Sequence, residues 1–263
     1  MMPRTVIVGA GKVAWHFAHR LLERGVPIAQ VVNRSEAPAR DLAEAVGATY
    51  TIDFQEIATD AAWYILAVKD DALAGVAEVL ARKNLSGLVA HTSGATPGSL
   101  LAPHFERWGV CWPLQSFSLG KKPRWAKTPV CVHAGRESDL LFLEKMTRRM
   151  GAKPYRVDDA QRAHLHIGAV FANNFANHCF AIAARILAEH GLPFALLHPI
   201  MAETVAKATA NPPAQMQTGP AVRGDAATMR RQIALLQTHP DWQELYRLLS
   251  ESIGVEERER SKR

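Results

Sequence analysis

Residues 5–25 read TVIVGAGKVAWHFAHRLLERG, and this stretch decides the fold. Thr5 to Val8 are β-branched and predict a buried strand. Gly9, Gly11 and Ala14 then follow the GxGxxG/A spacing. Val13, Phe17, Leu21 and Leu22 form a helical apolar stripe that Gly25 closes. The spacing has a physical meaning. Gly9 permits a tight turn, Gly11 lets the backbone approach a pyrophosphate, and Ala14 is small enough for close helix–strand packing. The N–H groups that open the helix can then hold an anion. Gly9, Ala10, Gly11, Lys12 and Val13 are therefore the expected phosphate contacts. Placed after a strand and at the head of a helix, the motif predicts dinucleotide binding.

The next strand, Ile28 to Val32, runs into Asn33-Arg34-Ser35. An NAD site usually carries a carboxylate there for the ribose 2′-OH, and a carboxylate would repel a 2′-phosphate. Asn33, Arg34 and Ser35 can all donate hydrogen bonds, Arg34 with a bidentate fork, so NADP (NADPH) is expected over NAD. The competing reading makes Arg34 a solvated loop charge and Ser35 the N-cap of a helix over about 36–46. Two further strand ends follow. The run 63–68 leads from Ala67 and Val68 into Lys69, and the run 88–91 leads into Thr92, Ser93 and Gly94. Ligands in parallel sheets bind beyond the carboxyl ends of strands. Ala67, Val68 and Lys69 are thus expected to face the cofactor, and Thr92, Ser93 and Gly94 the substrate. Strand-like runs near 110–114, 129–133 and 155–157, with a helix near 137–150, extend the domain. WPLQSFS (112–118) is expected near the site.

After Asp158 the alternation ends and helical periodicity takes over. The fold class expected is α/β: a Rossmann-type parallel-sheet domain over 1–157, then an all-α domain over 158–263, with a site between them. Helices are expected near 160–190, 194–210, 226–237 and 242–252, and the charged tail VEERERSKR is expected to fray. The stretch 164–178, HLHIGAVFANNFANH, has the apolar content of a core helix. At 3.6 residues per turn it aligns His166, Asn173 and Asn177, with Asn174 beside them. The competing reading pairs these polar groups inside the core.

The chain has 263 residues, 48% hydrophobic and 21% charged, with a net charge of +6. Its basic residues are scattered, which argues against nucleic acid, and a positive field would favour an anionic cofactor or substrate. Three separated cysteines make no disulfide framework. No apolar run reaches the roughly 20 residues of a membrane span. The reading is a cytoplasmic chain without membrane contact. No metal is expected, because the HLH pair faces opposite sides of a helix.

Taken together, VGAGKVA, AVKDDAL, HTSGA, WPLQSFS, HIGAVFANNF and TGPAVRGD (218–225) make nearly the whole chain resemble one family. Its members join a Rossmann-like N-terminal domain to a C-terminal domain called DUF2520, and are similar to pyrroline-5-carboxylate reductases, ketopantoate reductases and 3-hydroxyacid dehydrogenases. The resemblance implies an NADP-dependent oxidoreductase acting on a small carbonyl or imine compound. The ketopantoate and hydroxyacid enzymes use a lysine one turn before an asparagine on the long helix. Here those positions are Ala169 and Val170, so lysine-assisted reduction does not carry over. His166 is the nearest replacement, and histidine is a competent acid near pH 7. Lys69 stands where related sequences often have proline, and either faces the ligand or solvent. His166, Asn173 and Asn174 are the expected catalytic groups, and Thr92, Ser93, Gly94 and Arg223 the expected contacts for a substrate carboxylate. Asp225 is read as an N-cap, or as an ion-pair partner of Arg223. A homodimer is expected from the apolar helices, and a non-catalytic NADPH sensor is the alternative function.

Overall fold

The computed structural model describes residues 2–262. Eight strands form one sheet in the order β3-β2-β1-β4-β5-β6-β7-β8. They are β1 (Thr5–Val8), β2 (Ile28–Val32), β3 (Thr49–Thr51), β4 (Trp63–Leu66), β5 (Leu88–His91), β6 (Trp108–Pro113), β7 (Pro129–Ala134) and β8 (Lys153–Arg156). Every neighbouring pair is parallel except β6 and β7. The helices α1 (Lys12–Glu23), α2 (Glu36–Val46), α3 (Leu73–Ala81) and α4 (Glu137–Arg149) cover the sheet. Strand order reverses beside β1, whose neighbours are β2 and β4, and this is the switch point where parallel sheets open a crevice.

Alternation along the strands divides the core in two. Ile7, Trp63 and Ile65 pack with Phe17, Leu21, Leu42 and Met146 from α1, α2 and α4. Val6, Val8, Tyr64 and Leu66 point to the other face and meet Leu73, Ala77 and Leu80 of α3. The same period-2 geometry buries both faces, so these strands are apolar throughout. β3 had no forecast: it has three residues, two of them exposed, and no apolar run.

The second half is helical: α5 (Asp159–Ala169), α6 (Ala176–Glu189), α7 (His198–Ala210), α8 (Ala226–Leu235) and α9 (Pro240–Arg260). A π-helical segment, Val170–Phe175, links α5 to α6. Contacts divide the chain at Ala172/Asn173, inside that segment; the sequence expectation placed the boundary at 157/158. Three readings are corrected. The competing reading that places the polar groups of 164–178 inside the core is not met: none of the stretch is buried, and α5 buries Arg162 alone. The π turn also breaks the 3.6 periodicity on which the alignment of His166 with Asn173 and Asn177 depended. The tail expected to fray is helical over 255–260, because α9 continues to Arg260, supported by the Arg260–Glu257 pair and by basic residues in its last turn; Arg263 lies outside the described residues. Among the described residues no helix is long and apolar enough to cross a membrane.

Candidate functional site

The carboxyl ends of β1, β2 and β4 surround a cavity of about 790 Å³. Gly9, Ala10 and Gly11 line it from the first turn, Asn33 and Arg34 from the end of β2, and Ala67, Val68 and Lys69 from the end of β4. The turn is tight by construction. Gly9 adopts φ +107°, and a Cβ there would overlap the Ala67 carbonyl. Gly9 N–H donates to Val32 O at 2.7 Å, and Ala67 N–H to Val8 O at 2.7 Å, which ties the three strand ends together. A Cβ on Gly11 would meet nothing within 4 Å, so open space lies above it. Gly11 is the N-cap of α1 and gives no side-chain cap, which leaves the first-turn N–H groups for an anion. Lys12 and Val13 sit in that first turn but outside the cavity lining.

Arg34 is exposed at the rim. Asn33 Nδ2 donates to Ser35 O at 2.9 Å, which fixes the loop. Ser35 is the N-cap of α2 by position, yet its side chain makes no capping hydrogen bond, so its hydroxyl is not committed to the helix. Residues with no forecast complete the wall: Ile52, Asp53, Phe54 and Gln55 after β3, and Gly75, Val76 and Val79 on α3. Only the pairing of the short β3 with β2 brings the first group here.

A second group of side chains gathers beyond β5. His166 on α5 lies against Trp112 at the end of β6, with ring centroids 5.6 Å apart. Gly94 fills the space between them: a Cβ there would come within 2.6 Å of His166 Cδ2 and 2.6 Å of Trp112 Cε2. The Asp158–Gln161 capping box starts α5. Asp159 then accepts from Gly98 N–H at 2.8 Å and Ser99 N–H at 3.1 Å. Arg162 pairs with Asp159 at 2.9 Å and donates to Thr96 O at 2.5 Å. Burial alone would raise the Asp159 carboxyl, but the two N–H donors and Arg162 outweigh it and hold it below the ordinary carboxylate range. These bonds fasten α5 to the loop after β5 and set where His166 stands.

Thr92 and Ser93 are buried in that loop. Ser93 Oγ accepts from Ala95 N–H at 3.1 Å and Thr96 N–H at 2.8 Å, so the hydroxyl builds the turn and keeps only its own proton to donate. Thr92 Oγ1 donates to Leu66 O at 3.4 Å. WPLQSFS splits between two tasks. Trp112 meets His166, whereas Phe117 turns back to stack on the buried His16 of α1, with His16 Nε2 and Ser118 O 3.0 Å apart. Burial pushes the Cys111 and Cys131 thiols up to about 12 and about 11, so neither offers a thiolate near neutrality.

Asn173 and Asn174 are exposed in the π segment, past the division of the chain. Arg223 is exposed in the turn before α8. Asp225 is that helix's N-cap: its Oδ1 accepts from Thr228 N–H at 3.0 Å. This contact first, and the nearby Arg231 and Arg223 after it, lower its carboxyl. Arg223 and Asp225 therefore interact through charge, while the cap holds Asp225. Among the described residues no cluster of three or more His, Cys, Asp or Glu side chains is placed to hold a metal.

Comparison with known proteins adds the following. Residues 4–90 match the family model for "NADP oxidoreductase coenzyme F420-dependent", and residues 128–253 match DUF2520, a domain of unknown function. No curated protein matches the sequence. A crystal structure of a candidate NADP oxidoreductase from Bacteroides fragilis is 35% identical, covers 96% of this chain and 98% of its own, and superposes with a TM-score of 0.90. An imine reductase from Myxococcus stipitatus bound to NADP+ covers 99% and 94% at 15% identity, with a TM-score of 0.67. A pyrroline-5-carboxylate reductase from Coxiella burnetii covers 98% and 98% at 16% identity, with a TM-score of 0.60. These two likenesses are of fold alone. With the 35% relative spanning nearly its full length, the chain belongs to the family that joins a Rossmann-like NADP-oxidoreductase domain to a DUF2520 domain.

Proposed function

We propose that the chain is an NADP-dependent reductase of a small carbonyl or imine compound that carries a carboxylate. The observation that carries this reading is the cavity at the switch point. An open space over Gly11, an uncapped helix start and the cation Arg34 at the rim occur together there. The pyrophosphate would rest on the N–H groups opening α1, beside Gly9, Ala10, Gly11, Lys12 and Val13. Asn33, Arg34 and Ser35 would take the 2′-phosphate, and Ala67, Val68 and Lys69 would form the inner wall. NADPH supplies a hydride when bound. The chain's own part is to orient the acceptor, exclude water and deliver a proton.

His166 is the proton donor in this account, held in place by the Gly94–Trp112 contact and the Asp159–Arg162 fastening. Gly94, with the hydroxyls of Thr92 and Ser93, is the proposed carboxylate contact. Names of relatives favour the same class: an NADP oxidoreductase, an imine reductase and a pyrroline-5-carboxylate reductase. The test is NADPH oxidation against a panel of keto and imino acids. His166→Ala should lower turnover by roughly 10²- to 10⁴-fold with NADPH affinity kept; unchanged turnover removes His166 from the chemistry. A second reading, an NADPH-binding sensor without chemistry, has one observation in its favour: Ala169 and Val170 occupy the positions of the superfamily lysine. NADPH binding with no turnover on any compound of the panel would select it.

A further inference from the structure

The loop after β5 commits nearly all of its backbone donors to the sheet, to itself and to α5. Thr92 N–H donates to Leu66 O at 3.1 Å. Ala95 N–H and Thr96 N–H share Ser93 Oγ. Gly98 N–H and Ser99 N–H go to Asp159, and Pro97 has no N–H to give. Gly94 N–H differs: it is in a buried residue, yet it forms no hydrogen bond among the described residues. A buried donor without a partner is costly unless a ligand or a water takes it. Beside it, the Ser93 hydroxyl keeps its own proton to donate, because its oxygen already accepts twice. These neighbouring donors stand next to His166, whose Cδ2 lies 2.6 Å from where a Gly94 Cβ would be.

His91 sets this pair. Ser93 N–H donates to His91 Nδ1 at 3.1 Å, which requires a neutral ring with its proton on Nε2. The imidazole is wholly buried, so bulk water does not replace it as acceptor. Burial first, then the Arg162 charge, keep the ring unprotonated against the pull of the Pro97 carbonyl, Asp159 and Asp70. Without this acceptor the Ser93 amide must turn to find another, and the adjoining Ser93 hydroxyl and Gly94 amide turn with it.

We propose that His91 is a positioning residue for the substrate: its Nδ1 fixes the Ser93 amide so that Gly94 N–H and Ser93 O–H together take one carboxylate beside His166. This rests on the reductase reading and names what holds its carboxylate contact in place. His91 does not line the nucleotide cavity, so NADPH binding is independent of it.

The test compares His91→Leu, which removes the acceptor, with His91→Asn, whose Oδ1 can take the N–H two residues on. Kinetics use a keto or imino acid that the parent turns over, and its methyl ester. His91→Leu should raise KM for the acid about 10-fold, with kcat and NADPH affinity kept within about 3-fold and the ester unaffected. His91→Asn should restore the parental KM. A defect that merely loosened the fold would harm acid and ester alike, and asparagine would not mend it. Unchanged KM in His91→Leu, equal losses for acid and ester, or no recovery in His91→Asn would each overturn the proposal. If His91→Leu does not fold, ¹⁵N spectra of the parent's histidines decide: the proposal requires the neutral His91 ring to carry its proton on Nε2, and a proton on Nδ1 overturns it. A parent that neither binds nor turns over any acid of the panel defeats the reductase reading and this inference with it. A working parent beside an unaffected His91→Leu defeats this inference alone.

Discussion

His91 ends β5 with its ring enclosed, and Nδ1 accepts from Ser93 N–H at 3.1 Å. Burial first, then the Arg162 charge, push this imidazole down to about 4. The unfolded chain therefore binds a proton below about pH 6.5 that the folded chain refuses until about pH 4. The contribution is complete above pH 6.5 and is lost as pH falls toward 4. Between pH 7 and pH 5 the loss from this one group should be about 2 kcal/mol. Urea unfolding at both pH values should show that His91→Asn lacks this part of the pH dependence; an identical slope in the variant would remove His91 as its source. The glycines of the first turn were legible because only their conformation and size suit the task. The Arg162–Asp159 pair was not. A buried arginine looks in sequence like any surface arginine, and its burial here depends on Thr96, 66 residues away.

Among the elements, α5 matters through its contact with the loop after β5. Gly94→Ala would set a methyl group against His166 and Trp112, and overpacking of this kind costs about 1–3 kcal/mol. The expected outcome is lower stability and displaced catalysis with NADPH affinity kept, since Gly94 does not line the nucleotide cavity. Urea unfolding and NADPH titration of the variant would check both; a variant as stable and active as the parent would show the contact to be slack. The strands buried on both faces were legible as short apolar runs, and Asp225 as a cap, because each signal lies within a few residues. β3 was hidden because its apolar content is too small, and with it went the Ile52–Gln55 wall of the cavity. The π segment was hidden because VFANNF carries no local mark that separates a wide turn from an ordinary one.

At the scale of the whole molecule, the fold was legible from the switch of apolar period near Asp158. The competing core reading of 164–178 failed, because apolar content in sequence says that a surface needs covering and not what covers it. The net charge of +6 and the exposed Arg34 both favour an anionic ligand carrying an extra phosphate. The measurement that bears most directly on the account is titration of the purified protein with NADPH and with NADH, followed by quenching of its six tryptophans. The account predicts at least 10-fold tighter binding of NADPH, with Arg34→Glu reversing the order. Failure to bind either nucleotide, or a preference for NADH, would contradict it.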